Sequence, residues 1–261
     1  AGKTALITGG ATGLGFQMAN ALAESGASVA LASRRDDLCR RQAEALQKAT
    51  GARSMGIRLD VAVKSEAESA VEEVMRAWGK IDILINNAGG SGPGDTVTLK
   101  EEVWRGTLDR NLTGAFFCSQ AAGTHMIASG QGSVINITSI YGFLGTDGRL
   151  YVDPSEPPLE NVAYNAAKGG LLNLTRGLAA VWARHGVRVN CISPGSFIVE
   201  RIARMLGDRR DEMVRRWSER TPLGRVGEDD DLKGAVVFLA SGASKYVTGQ
   251  EIVVDGGWSI W

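Results

Sequence analysis

Cysteine, histidine and proline are scarce in this chain of 261 residues, and each scarcity excludes something. Three cysteines, Cys39, Cys118 and Cys191, lie far apart, are odd in number and fall in no metal-ligand spacing. That excludes a disulfide framework, suits a reducing compartment, and leaves Cys118 and Cys191 as small buried hydrophobes. The two histidines, His125 and His185, have no partner at catalytic or metal spacing, and the acidic run Glu228–Asp231 reads as the start of a helix, so no metal is expected. Charge of one sign is missing too: 29 basic and 29 acidic residues give a formal net charge of zero, which offers nothing to nucleic acid or a membrane surface. No apolar run reaches the roughly 18–20 residues of a membrane span. No signal peptide precedes the first apolar segment, so a cytoplasmic protein is expected. Internal repeats and low-complexity linkers are absent.

What is present is a regular alternation. Strand-length apolar runs recur at 4–8, 28–33, 54–60, 81–86, 133–139, 187–193 and 251–255. Most lack polar alternation, as strands buried on both faces do. Segments of helical period lie between them, at 15–25, 36–49, 66–78 and 168–183. This predicts an α/β fold: one doubly wound domain over residues 1–261, its parallel seven-stranded sheet covered by helices on both faces. A chain this long buries roughly 70–75% of its unfolded surface and needs no disulfide or metal to hold a core.

The first strand runs into "TGGATGLG", residues 8–15, at the head of the first helix. Glycines at Gly9, Gly13 and Gly15 permit a tight turn and close approach of a pyrophosphate to free N–H groups at the helix start. After the second strand, where a carboxylate would bind the ribose 2′-hydroxyl of NAD, stand Ser33, Arg34 and Arg35. Arg34 is suited to pair with a 2′-phosphate, with Ser33 and Thr12 adding hydroxyls. NADP(H) is therefore expected in preference to NAD(H). Arg35 is expected to pair instead with Asp36 and Asp37 at a solvated helix start.

Further stretches join this turn: "NNAG" at 86–89, "NITS" ending at Ser139, and Tyr164 with Lys168 four residues on. Asp60 in "LDV", Asn111 in "RNLTG", "SPG" at 193–195 and "VTGQEIVVDGG" at 247–257 complete the set. In this order, over essentially the whole chain, they resemble the short-chain dehydrogenase/reductase family. "SIYG" followed by an acidic, Tyr-containing insertion is similar to its gluconate 5-dehydrogenase-like and other sugar-acid or polyol members. The resemblance implies a catalytic set of Ser139, Tyr164, Lys168 and Asn111, the last carrying a water that links the lysine to solvent. It implies cofactor contacts at Gly9, Thr12, Gly13, Leu14, Gly15, Ser33, Arg34, Asp60, Val61, Asn87, Ala88, Gly89, Tyr164, Lys168, Pro194 and Gly195. The chemistry is consistent: a phenol with pKa near 10 is shifted toward phenolate by a nearby ammonium, and residues four apart share a helix face. Tyr164 would then exchange a proton with the substrate oxygen, which Ser139 would hold.

Two departures from the family pattern stand out. A Thr that often follows the Pro of "PG" by five residues is Val199 here, with Ser196 as a substitute. Ser139 and Tyr164 are 25 positions apart, further than is usual. The excess lies in 145–162, which holds three of the six prolines and is expected to wall the substrate pocket. Tyr141, Arg149, Tyr151, Asp153 and Glu156 are its polar candidates, and Phe197 a further substrate contact. The charged segment 197–220, broken at Gly207–Asp208, is expected to form substrate-lid helices. Trp258 and Trp261 suggest a subunit interface, with Trp261 buried there in a homodimer or homotetramer. The expected reaction is NADP(H)-dependent interconversion of a ketone and a secondary alcohol, on a small polar molecule of keto-sugar acid or polyol type. The alternatives are a 3-oxoacyl thioester reductase and a non-catalytic NADP-binding regulatory protein.

Overall fold

Seven parallel strands stand in the order β3-β2-β1-β4-β5-β6-β7. They are β1 (Thr4–Thr8), β2 (Ser28–Ser33), β3 (Ser54–Arg58), β4 (Ile83–Asn86), β5 (Gly132–Ile137), β6 (Val187–Pro194) and β7 (Glu251–Val254). The computed structural model describes residues 1–90, 95–150 and 162–261, without the side chains of Arg149 and Arg201. The order reverses between β1 and β4, the switch point at which open α/β sheets bind ligands at the carboxyl ends of their strands.

The apolar runs are continuous because both sheet faces are covered. Ala5 and Ile7 of β1, and Val29 and Leu31 of β2, enter one core with helices α1 (Gly13–Glu24), α2 (Asp36–Thr50) and α9 (Lys233–Ala240). Leu6, Ala30 and Ala32 enter a second core with α3 (Lys64–Trp78), α5 (Gly114–Ser129) and α6 (Val162–Trp182). A third cluster lies beyond the strand ends. It joins Ile140 and Trp258 to Leu206 of α7 (Glu200–Leu206) and to Met213 and Trp217 of α8 (Arg210–Arg220). Among the described residues no helix is long and apolar enough to cross a membrane.

The boundaries differ from the sequence reading where side chains take over from pattern. β3 stops at Arg58, and the Asp60 carboxylate accepts the Ala62 N–H, turning the chain. The helix expected over 168–183 begins at Val162, more than a turn earlier, and so carries Tyr164. Helix α4 (Glu101–Leu108), a π-helical turn over Asp109–Thr113 and α5 form one run that apolar periodicity does not mark. α5 is nearly all apolar or small residues, and it stands against the sheet and α3. Under α5 and α6 a polar file crosses the sheet: Asn86 donates to Ser119 and to Asn136, and Asn136 donates to Thr175. All three cysteines are free and buried.

Candidate active site

The glycine turn is held from two sides. Gly9 and Gly13 have φ of 63° and 55°, values that favour glycine. A Cβ on Gly15 would lie 2.3 Å from the Gly9 carbonyl oxygen, so the third glycine is required by contact. Asn87 donates its side-chain amide to the carbonyls of Thr8 (3.0 Å) and Gly9 (3.2 Å). The Thr8 hydroxyl accepts the N–H groups of Asn87 and Ala88, both at 3.0 Å. Thr8 thus splices the end of β1 to the end of β4; in the sequence it looks like an ordinary strand residue and gives no signal of this role.

On the second strand Ser33 lies 3.0 Å from the Cys39 sulfur and accepts the Arg35 N–H. Arg34 is exposed. Arg35 departs from expectation: its guanidinium donates to the Thr12 hydroxyl at 3.2 Å, while Asp36 accepts from Arg40. The reason is helical geometry. α2 begins at Asp36, whose carboxylate faces the residue one turn on, so Arg35 is left to face the glycine turn. Val61 is buried and Asp60 half-buried at the turn after β3.

Around the lysine the packing is tight. Lys168 is buried, and its ammonium donates to the Ile137 carbonyl at 2.7 Å. Burial pulls its pKa down from 10.5 to about 7. It stands 5.4 Å from the centre of the Tyr164 ring, one helical turn away on α6. Asn111, at the centre of the π-helical turn, commits its whole amide to backbone: Oδ1 accepts from Gly90 N–H, and Nδ2 donates to the carbonyls of Gly90 and Thr107. A Cβ on Gly89 would meet Asn111 Oδ1 at 2.3 Å and Lys168 Nζ at 3.5 Å, so "NNAG", Asn111 and Lys168 converge. Ser139 is buried, and its hydroxyl accepts the Tyr141 N–H at 3.2 Å. The turn it caps, Ile140–Gly142, packs on α6: a Cβ on Gly142 would lie 3.1 Å from the Lys168 carbonyl. Ser139 therefore stands beside the helix that bears Tyr164 and Lys168.

The far lip begins at Pro194–Gly195, where the Gly195 N–H donates to Val254. Val199, in place of the threonine, lies 3.3 Å from where a Cβ on Gly13 would be, so this segment crosses the glycine turn next to Leu14. Phe197 is buried against Gly227 in the first core cluster. Tyr141 joins the third cluster with Leu144, Leu150, Ile198 and Ile202. Tyr151, Asp153 and Glu156 lie outside the described residues, as does most of 145–162. Trp258 is buried within the chain, while Trp261 is exposed and donates to the Arg220 carbonyl. The Glu228–Asp231 run does precede α9; Arg225 grips Asp231 at 2.6 and 2.9 Å and holds its carboxyl down at about 2.

A glycine cradle at a sheet switch point, with a serine and a Tyr–Lys pair on one side, defines a dinucleotide-fold oxidoreductase. Comparison with known proteins agrees. A family model described as enoyl-(acyl carrier protein) reductase matches residues 9–259. The chain is 36% identical over 260 residues to 3-oxoacyl-[acyl-carrier-protein] reductase FabG of Staphylococcus epidermidis, covering 98% of each. It is 36% identical to gluconate 5-dehydrogenase of Gluconobacter oxydans, covering 98% of this chain and 94% of that one. The crystal structure of a gluconate 5-dehydrogenase from Burkholderia cenocepacia, in complex with NADP and tartrate, superposes with a TM-score of 0.89 at 35% identity, over 100% of this chain and 96% of that one. The chain belongs to the short-chain dehydrogenase/reductase family and is an oxidoreductase acting on CH–OH donors.

Proposed function

We propose that the chain interconverts a ketone and a secondary alcohol with NADP(H), and that Tyr164 is the acid/base. The observation that carries this reading is the meeting of the Ser139 turn, the buried Lys168 and Gly89 on one side of a glycine cradle. The turn fits a dinucleotide: Gly9 and Gly13 take left-handed backbone angles, and Gly15 lets the start of α1 pack against the Gly9 carbonyl, which sets the free N–H groups of the helix start at the end of β1. A bound nicotinamide would supply or take the hydride. Gly9 to Gly15, Asp60 and Val61, Asn87 to Gly89 and Pro194–Gly195 would hold the cofactor. Arg34 and Ser33, now with Arg35 over Thr12, would favour a 2′-phosphate. Ser139 would hydrogen-bond the substrate oxygen and Tyr164 exchange its proton. Lys168 would steady the tyrosine, with Asn111 fixing the backbone beside it. α7 and α8 would close over the substrate, since their inward residues meet the Ser139 turn. The protein would assemble as a homodimer or homotetramer.

A small polar substrate is the first choice, in keeping with the gluconate 5-dehydrogenases. A 3-oxoacyl thioester is the second, favoured by the apolar cluster around Tyr141 and by equal identity to the acyl reductase. Absorbance of the nicotinamide, followed with NADPH and NADH over keto-sugar acids, simple ketones, diketones and acyl thioesters, decides between them. Turnover is expected to fall about 10²- to 10⁴-fold in Tyr164→Phe. Tight NADPH binding without turnover of any compound would favour a non-catalytic, regulatory role.

A further inference from the structure

Glu251 opens β7 and takes no part in the chemistry above. We propose that it is a positioning residue for both lips of the reacting centre, acting through the hydroxyls of Ser193 and Thr138. The inference rests on the oxidoreductase reading of the site. Three neighbouring strands are joined on one face of the sheet. Cys191 of β6 is in register with Glu251, so the carboxylate reaches two residues along the strand to Ser193. Ser193 donates to Glu251 Oε1 at 2.5 Å, and its own oxygen lies 2.5 Å from the Thr138 hydroxyl. Thr138 donates its N–H to the Ile192 carbonyl at 2.8 Å, and its hydroxyl lies 2.9 Å from the same oxygen, so the one hydroxyl proton of Thr138 can go either to Ile192 or to Ser193. Ser193 and Thr138 are both buried, so the bond between them is made out of reach of water, while Glu251 itself is half-buried.

The next residues along the chain give the arrangement its purpose. Ser139 comes directly after Thr138, and Pro194–Gly195 directly after Ser193. The carboxylate draws the Ser193 proton toward β7 and leaves Thr138 to supply the proton between the two hydroxyls. Without that acceptor, Ser193 can donate to Thr138 and Thr138 to Ile192; both hydroxyls stay satisfied, but the tie to β7 is lost. Removal of the carboxylate is thus expected to leave the fold intact and loosen the lips.

The test compares Glu251→Val, Glu251→Gln, Ser193→Ala and the Glu251→Val/Ser193→Ala double variant. Two quantities are measured: kcat, and the affinity for NADPH relative to 2′-phospho-ADP-ribose, which lacks nicotinamide. Glu251→Val is expected to lower kcat about 10-fold, because small misplacements of reacting groups are costly. It should weaken NADPH and leave the nicotinamide-free fragment unchanged. Glu251→Gln, whose amide oxygen still accepts from Ser193, should restore both. In the Ser193→Ala background Glu251→Val should have no further effect. Equal weakening of NADPH and the fragment would reduce Glu251 to a structural residue and overturn the proposal. So would additive losses, or an unchanged kcat and NADPH affinity in Glu251→Val. If the wild type turned over nothing, the reductase reading would fail, while the affinity comparison would still decide the role of Glu251.

Discussion

The two lips of the cleft are made of different materials. The lip proposed for the nucleotide is backbone and small polar groups: three glycines, with the Thr8 hydroxyl and the Asn87 amide joined to particular N–H and carbonyl groups. The lip proposed for the substrate is apolar side chains, with Leu206, Met213, Trp217 and Trp258 packed with Ile140. The first kind of surface is specified atom by atom. The second is specified by volume, and many sets of residues would fill it. One fold can therefore keep its cofactor while its substrate changes.

This contrast is open to direct attack. The largest effect is expected from Trp217→Ala, which empties part of the third cluster. It should cost about 3–5 kcal/mol of stability and raise KM for substrate, with little change in dinucleotide affinity, as read by chemical denaturation and ligand titration. A matching loss of dinucleotide affinity would show that the lips are not separable. Lys168, between the lips, comes next. Its proton is held less tightly in the folded chain than in the unfolded one, so between about pH 7 and 10.5 the unfolded chain carries the additional proton. Apo-protein stability should then rise with pH across that window, by at most about 1.4 kcal/mol per unit. Lys168→Met should abolish that component of the slope, which denaturant melts at several pH values would reveal. Gly15→Ala drives a methyl into the Gly9 carbonyl and should cost about 1–3 kcal/mol, with loss of dinucleotide binding and no effect on the third cluster's tryptophan fluorescence. The smallest effect is expected at the arginines. Arg34→Ala and Arg35→Ala should each weaken NADPH by up to about 10-fold and leave NADH unchanged. Equal weakening of both cofactors would remove the arginines from 2′-phosphate recognition.

The same contrast explains what can be read in the sequence. The strands and their parallel pairing are legible as apolar runs spaced by helices, and Gly15, Asn87 and Lys168 announce themselves because few residues could replace them. The partner of Arg35 is not legible, because the choice between Asp36 and Thr12 depends on where α2 begins, a boundary that periodicity places loosely. Thr8, Thr138 and Ser193 look like ordinary strand residues; only their register across the sheet gives them partners. Trp217 and Met213 are legible as one face of a helix, but not as packed with Ile140, because that contact depends on a long return of the chain. The run 101–129 is hidden because a helix packed among other elements has no polar face to reveal its period.

Thr8 also bears on how the molecule comes into being. β1 is the first strand of the chain and lies inside the sheet, yet its bonds to Asn87 and Ala88 span 79 and 80 residues. Until that distant strand arrives, one long edge of β1 is open, and such non-local closures are the slow steps of folding. The closure that joins the two halves of the sheet is the same one that completes the glycine turn. A half-formed chain has no cradle, so dinucleotide binds only after that pairing is made. It then holds the closed form by mass action, making the cell's nicotinamide pool a partner in the protein's maturation as well as in its chemistry.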